Sequence, residues 1–204
     1  MFAYLFSPLF ILGILLSSLT TWVSAAVSLN ETAPEFTLTD TSGKVHSLAD
    51  FKGKIVVLEW TNHECPFVKK HYGAGNMQAL QKEFTDKGVI WLSIVSSAEG
   101  KQGFVKPEEG QHILEQQHAA PTAKLLDTEG KVGRLYEAKT TPHLFIINAE
   151  AKVVYMGAID SIASAEKNDI PAATNYVRKA LNELLAGIPI TTPITKPYGC
   201  SIKY

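Results

Sequence analysis

A short apolar run, followed closely by a cysteine and a proline, constrains this chain more than any other feature. Ile55-Val56-Val57-Leu58-Glu59-Trp60 shows little of the alternation of a half-exposed strand, so it predicts a central strand covered on both faces. After four intervening residues, Cys65-Pro66 opens a helical stretch. Proline is favoured there because the first helical N–H would be unpaired in any case. Gly73 and Gly75 interrupt this helix, which resumes from Asn76 to Lys87. A strand feeding directly into a helix is the unit of a layered α/β domain.

The rest of the chain repeats the theme. Phe36–Thr39 and Lys44–Ser47 flank the turn residues Asp40-Thr41-Ser42-Gly43 and predict a hairpin. Val89–Val95 reads as a second buried strand, and Pro107-Glu108-Glu109 starts a helix with Ile113 and Leu114 inward. Lys124–Leu126 and Leu144–Ile147 read as strands, with a short helix near Val132–Tyr136 between them. Val153–Gly157 closes a hairpin through Ala149-Glu150-Ala151. Ala172–Ala186 carries Tyr176, Ala180, Leu181, Leu184 and Leu185 at helical spacing and predicts a final amphipathic helix. Beyond it Pro189, Pro193 and Pro197 predict an extended tail, residues 188–204.

The N-terminus reads differently. No Asp, Glu, Lys or Arg occurs before Glu31, and Phe2–Val27 is almost wholly apolar or small. Leu9–Leu16 fits the apolar core of a secretory signal, with Val23-Ser24-Ala25 supplying small residues for cleavage after Ala25. An uncleaved membrane anchor is the competing reading, since the run is long enough to span a bilayer. Either way the body is expected to be exported, periplasmic or extracellular. The net charge of -1 argues against a nucleic-acid partner, which would need a basic face. The chain has two cysteines, too few for a disulfide scaffold or a four-thiolate zinc site. Outside the cytoplasm they are free to pair or to cycle.

Cys65 sits where a thiolate would face unpaired backbone N–H groups and the positive end of a helix dipole, both of which favour ionisation. Lys69 and Lys70 add positive charge and Glu64 opposes it. The plain alternative is a buried, inert cysteine. Thr140-Thr141-Pro142 precedes the strand at His143–Ile147, and a proline just before a central strand is not explained by turn preference. A cis Thr141–Pro142 bond would turn the Thr141 backbone toward Cys65; an ordinary trans proline is the alternative.

Together these elements resemble the thioredoxin fold. More closely, Asn62-His63-Glu64-Cys65-Pro66-Phe67-Val68-Lys69 and the ending Gly199-Cys200-Ser201-Ile202-Lys203-Tyr204 resemble the redoxin branch of the thioredoxin-like superfamily, related to alkyl hydroperoxide reductase and thiol-specific antioxidant. The resemblance covers about Ala33 to Tyr204. It implies a central mixed sheet flanked by helices on both faces, a redoxin domain over residues 31–187, and a tail carrying Cys200.

Three departures limit what carries over. Asn62 stands three residues before Cys65, where thioredoxin-type members have a second cysteine. Asn62 and Leu58 stand where true peroxiredoxins have threonine and proline. The only arginines, Arg134 and Arg178, lie off the hairpin on which peroxiredoxins carry theirs. Cys200 is therefore the only partner for Cys65 within the chain, and three roles stay open for it: resolving thiol, half of a structural bond, or free thiol.

Other residues carry less. His46, His63, His71, His112, His118 and His143 invite a metal reading, with His63, Cys65 and His143 the set that would converge; without tight ligand spacing, packing and surface roles are preferred. No metal or cofactor is expected. Gly73-Ala74-Gly75 is too short for a dinucleotide loop. Lys69-Lys70 and Glu108-Glu109 read as solvated helix residues, and Asn30-Glu31-Thr32 fits a glycosylation sequon.

The leading expectation is an exported thiol-based oxidoreductase acting on protein disulfides or peroxides and recharged by an external thiol. Cys65 attacks, Cys200 resolves, and Thr141 and Pro142 shape the substrate groove. The alternative is a non-catalytic thioredoxin-fold binding module that holds an extended peptide in that groove.

Overall fold

The computed structural model describes residues 27–204. The leader expected over residues 1–25 lies outside the described residues. In chain order the first half contains β1 (Thr37–Asp40), β2 (Val45–Ser47), β3 (Val56–Trp60), α1 (Pro66–Gly73), α2 (Asn76–Thr85) and β4 (Ile90–Val95). The second half contains α3 (Pro107–Gln116), β5 (Ala123–Leu126), α4 (Lys131–Leu135), β6 (Thr140–Thr141), β7 (His143–Ile147), β8 (Val153–Gly157), α5 (Tyr176–Leu185) and β9 (Cys200–Ser201).

Seven strands form one mixed sheet in the order β2-β1-β5-β4-β3-β7-β8. β3 pairs parallel with β4, and β4 with β5, while β7 pairs antiparallel with β3 and β8. β3 therefore has a neighbour on each side, and all its residues are buried, as its unbroken apolar run predicts. Alternation sends Val56, Leu58 and Trp60 into one core, with Tyr136 and Phe145. Val57 faces the other, with Tyr72, Phe84 and Trp91. The helices are unequally shared. α1, α2 and α5 cover the Val57 face, whereas α4 supplies Val132 to the other.

Local chemistry sets the element ends. Pro66 opens α1, and Gly75, at φ +73, takes the left-handed conformation that separates α1 from α2. Three expectations need correction. The last helix begins at Tyr176 rather than Ala172, because Pro171 lies in a separate 3-10 turn (Lys167–Ala172) and Asn175 caps α5 by accepting the Arg178 N–H at 2.8 Å. Within α5, Tyr176, Ala180, Leu181 and Leu184 pack into the core as their spacing predicts and Val177 joins them, whereas Leu185 is exposed. Lys70 is not solvated but buried beneath the chain that follows β8. Among the described residues no helix is long and apolar enough to cross a membrane.

The tail is extended, as its prolines predict, yet it is bound along its length. Met156 and Thr195 exchange backbone bonds around Pro193, with Met156 N–H to Pro193 O at 3.0 Å and Thr195 N–H to Met156 O at 3.1 Å. Further on, β9 pairs antiparallel with β6, setting Thr141 opposite Cys200.

Candidate functional site

Cys65 is the N-cap of α1, with extended backbone angles (φ -67, ψ 126), and its carbonyl accepts the first helical bond from Lys69 N–H at 2.8 Å. The turn leading into it is held by Asn62. Its Oδ1 accepts the Glu64 N–H at 2.9 Å, its backbone carbonyl accepts the Cys65 N–H at 3.0 Å, and its Nδ2 donates to Gln102 O at 3.3 Å. Asn62 thus braces the turn in the place of a second thiol. One turn into the helix stands the buried Val68, so neither side of Cys65 offers a local partner.

Two other segments converge on the Cys65 sulfur. The Thr141–Pro142 bond is cis, and the Thr141 carbonyl accepts from Cys65 Sγ at 3.1 Å. From the tail, Cys200 Sγ lies 2.7 Å from Cys65 Sγ, with no bond between the two. Thr141 Oγ1 also donates to Cys200 O at 3.5 Å. Gly199 makes this approach possible. Its φ of +135 is closed to L side chains, and a β-carbon would overlap the Thr141 carbonyl oxygen.

The environment separates the two thiols. Burial pushes the Cys65 thiol up, but hydrogen bonds from the Cys200 thiol, the Val68 backbone N–H, the Thr141 side chain and the Cys200 backbone outweigh it and hold Cys65 below its ordinary value. Burial, then the bond to Cys65 and its charge, push Cys200 up to about 11. The acidity expected of Cys65 therefore comes from hydrogen bonds. Lys70, which the sequence enlisted, has its ammonium on Ile162 O at 3.1 Å and 3.5 Å from Asp160.

Sequence reasoning missed two buried polar groups near these elements. Glu59, on β3, is fully buried and accepts from Tyr72 OH (2.8 Å), Trp91 Nε1 (2.7 Å), Ser93 Oγ (3.1 Å) and Gln81 Nε2 (3.1 Å). Desolvation still raises its carboxyl above the usual range. Its signal was a lone charge in an apolar strand. The second group is Asp160, whose Oδ1 accepts from Tyr198 OH and from Ile162 N–H. Asn76 Nδ2 donates to His71 Nδ1 at 2.9 Å, so the other ring nitrogen of His71 carries a proton, which it directs to Tyr198 OH at 3.2 Å. Burial holds the His71 imidazole neutral down to about 4. A tyrosine two residues before Cys200 was the available clue.

The histidines are distributed rather than gathered. His46 pairs with Asp40 at 2.7 Å, and His143 packs against Phe145 with its Nδ1 accepting the Lys139 N–H at 3.3 Å. Burial lowers His143 to about 3. Among the described residues no group of three or more His, Cys, Asp or Glu side chains is placed to hold a metal. The two arginines are engaged elsewhere: Arg178 pairs with Glu83 at 2.9 Å, and Arg134 lies over the Tyr204 ring at 4.4 Å.

A mixed sheet, a cysteine at a helix N-terminus and a cis proline facing it define a thioredoxin-like protein, and solved structures agree. An uncharacterized conserved protein from Geobacillus kaustophilus superimposes with a TM-score of 0.71 at 28% identity, over 87% of this chain and 92% of its own. A hypothetical protein from Sinorhizobium meliloti 1021 does so at 0.73 and 22% identity, over 87% and 95%. The sequence profile of the AhpC/TSA family matches residues 29–156, and the chain belongs to that family. Thiol-disulfide oxidoreductase ResA of Bacillus subtilis (strain 168) is 32% identical over 129 residues, 63% of this chain and 66% of that protein. The chain therefore spans a little under two thirds of that relative. ResA of Geobacillus kaustophilus (strain HTA426) is 28% identical over 128 residues, 57% of this chain and 73% of its own.

Proposed function

We propose that this protein is an exported thiol-disulfide oxidoreductase in which Cys65 and Cys200 cycle between a dithiol and an intramolecular disulfide. Thr141 and Pro142, expected to shape a substrate groove, instead line the cleft into which β9 brings Cys200 against Cys65. The observation that carries the reading is the 2.7 Å separation of two sulfurs held by different segments of the chain. The opposed displacement of their acidities supports it. One thiol is favoured as thiolate and leaving group, and the other retains its proton. Similarity to proteins named thiol-disulfide oxidoreductase points to the same chemistry. The partners are accordingly a protein disulfide or dithiol and an external thiol reductant. The export reading rests on the charge-free N-terminal stretch.

Peroxide reduction is less well supported, because Cys65 is wholly buried and both arginines are occupied elsewhere. A purely peptide-binding role is also disfavoured, since β9 already occupies the edge of β6. The test is peptide mass mapping of the oxidised protein, together with disulfide-reductase turnover of wild type, Cys65→Ser and Cys200→Ser. A Cys65–Cys200 crosslink, and loss of turnover in both variants, is the expected result. An uncrosslinked wild type, or full turnover in either variant, would refute the reading.

A further inference from the structure

The tail does more than deliver Cys200. It covers Cys65, which is 0% exposed, while Cys200 remains partly open to solvent. The cover is clamped on both sides of the pair. Upstream, Tyr198 is fastened to Asp160 and His71 and packs edge-on against Phe67, with ring centroids 5.8 Å apart. Downstream, Lys203 O accepts the Ala98 N–H at 2.8 Å, and Tyr204 OH donates to Ala138 O at 3.0 Å. The Tyr204 ring fills a slot open only because Gly130 and Gly133 have no side chains; a β-carbon on either would overlap it. A strap seated this way is not a loose arm that lifts to admit a partner.

We infer that Cys200, not Cys65, is the sulfur that meets the partner protein, and that Cys65 acts from beneath it as the internal thiol. This rests on the proposed pairing of Cys65 and Cys200 and reverses the order of attack expected from the sequence. When a partner dithiol reduces the oxidised protein, its thiolate attacks Cys200 Sγ. A partner–Cys200 bond forms as the Cys65–Cys200 bond breaks, and the electron pair leaves on Cys65 Sγ as a thiolate. The second partner thiolate then attacks the partner's own linked sulfur. The partner becomes a disulfide, and Cys200 leaves as a thiolate that takes up a proton. Two electrons have passed from partner to protein. In the reverse direction Cys200 makes the mixed disulfide, and the Cys65 thiolate attacks Cys200 Sγ to release the partner. Departure from Cys65 is the favoured direction of cleavage, because the more acidic thiol leaves faster.

Acidity and access predict opposite orders of reactivity in single-cysteine variants, which makes the test sharp. With the small chromogenic disulfide dithiodipyridine, acidity alone would make Cys65 in Cys200→Ser the faster thiol. Access makes Cys200 in Cys65→Ser faster, by about tenfold or more. Loosening the strap with Tyr198→Phe in the Cys200→Ser background should speed Cys65 labelling severalfold. In oxidised wild type treated with excess N-acetylcysteine and quenched in acid, the first adduct should map to Cys200. Faster labelling of Cys65, no effect of Tyr198→Phe, or a first adduct on Cys65 would each overturn the inference. Absence of the Cys65–Cys200 crosslink in oxidised wild type would instead overturn the pairing itself, so the two failures are distinguishable.

Discussion

Replacing Gly199 by alanine tests how far the proposed Cys65–Cys200 redox pair depends on the path of the tail. Gly199 holds φ +135, and a β-carbon there meets the backbone oxygen of Thr141, which cannot turn aside as a flexible side-chain tip would. Holding a non-glycine residue in so unfavourable a conformation costs about 1–3 kcal/mol. In the dithiol form the two sulfurs are not bonded, so the β9 segment can shift locally between its clamps at Tyr198 and Tyr204 and relieve part of the strain. In the disulfide form the covalent bond forbids this, so the cost falls on the disulfide. A penalty of about 1.4 kcal/mol corresponds to a tenfold smaller equilibrium constant for disulfide formation, or a potential more oxidising by about 30 mV for this two-electron couple. Titration of wild type and Gly199→Ala in a thiol–disulfide buffer, read by mass, measures the difference. An unchanged potential in a folded variant would refute the claim that β9 is threaded past Thr141 at the cost of any side chain.

Three further outcomes follow from the same geometry. Cys200→Val keeps the tail apolar at the site but removes the thiol donor to Cys65, so the Cys65 thiolate absorbance in the ultraviolet should titrate at higher pH than in wild type; no upward movement would mean the donor is immaterial. Tyr72→Phe withdraws one donor from the buried Glu59 carboxylate and should lower stability in urea by about 1–3 kcal/mol, whereas a neutral effect would mean the carboxylate finds water instead. Asp40 is opposed by burial yet held down at about 2 by bonds from Ser42, His46 and Lys44. Its folded value lies below the unfolded one, so its contribution is complete above about pH 4 and lost as the pH falls toward 2. The stability gap between wild type and Asp40→Asn should therefore close over that interval in denaturant melts; a gap independent of pH would contradict the assignment.

The site also explains how this chain dispenses with a local cysteine pair. Asn62 spends its side chain on the Glu64 and Gln102 backbones, shaping the turn that presents Cys65. The second sulfur arrives from 135 residues away, on a strand that pairs with the segment before the cis proline.

What the sequence by itself determined was local in origin. Unbroken apolarity marked β3, proline at a first helical position marked α1, glycine marked the break before α2, and Thr141-Pro142 marked the loop facing Cys65. Each rests on preferences that act within a few residues and survive almost any tertiary context. Only the tertiary structure decided that the two cysteines lie side by side, how Lys70 came to be buried, and how Glu59 is satisfied. Nothing near Cys200 in the chain specifies its distance from Cys65. That distance is set by Tyr198 on Asp160 and His71, by Gly199 against Thr141, and by Tyr204 in the slot at Gly130 and Gly133. These are complementarities between remote surfaces, with no period or spacing in the chain to announce them. Lys70 is read wrongly, and the partners of Glu59 go unseen, for the same reason: the groups that hold a buried charge are contributed by other strands and helices and are brought around it only by the fold.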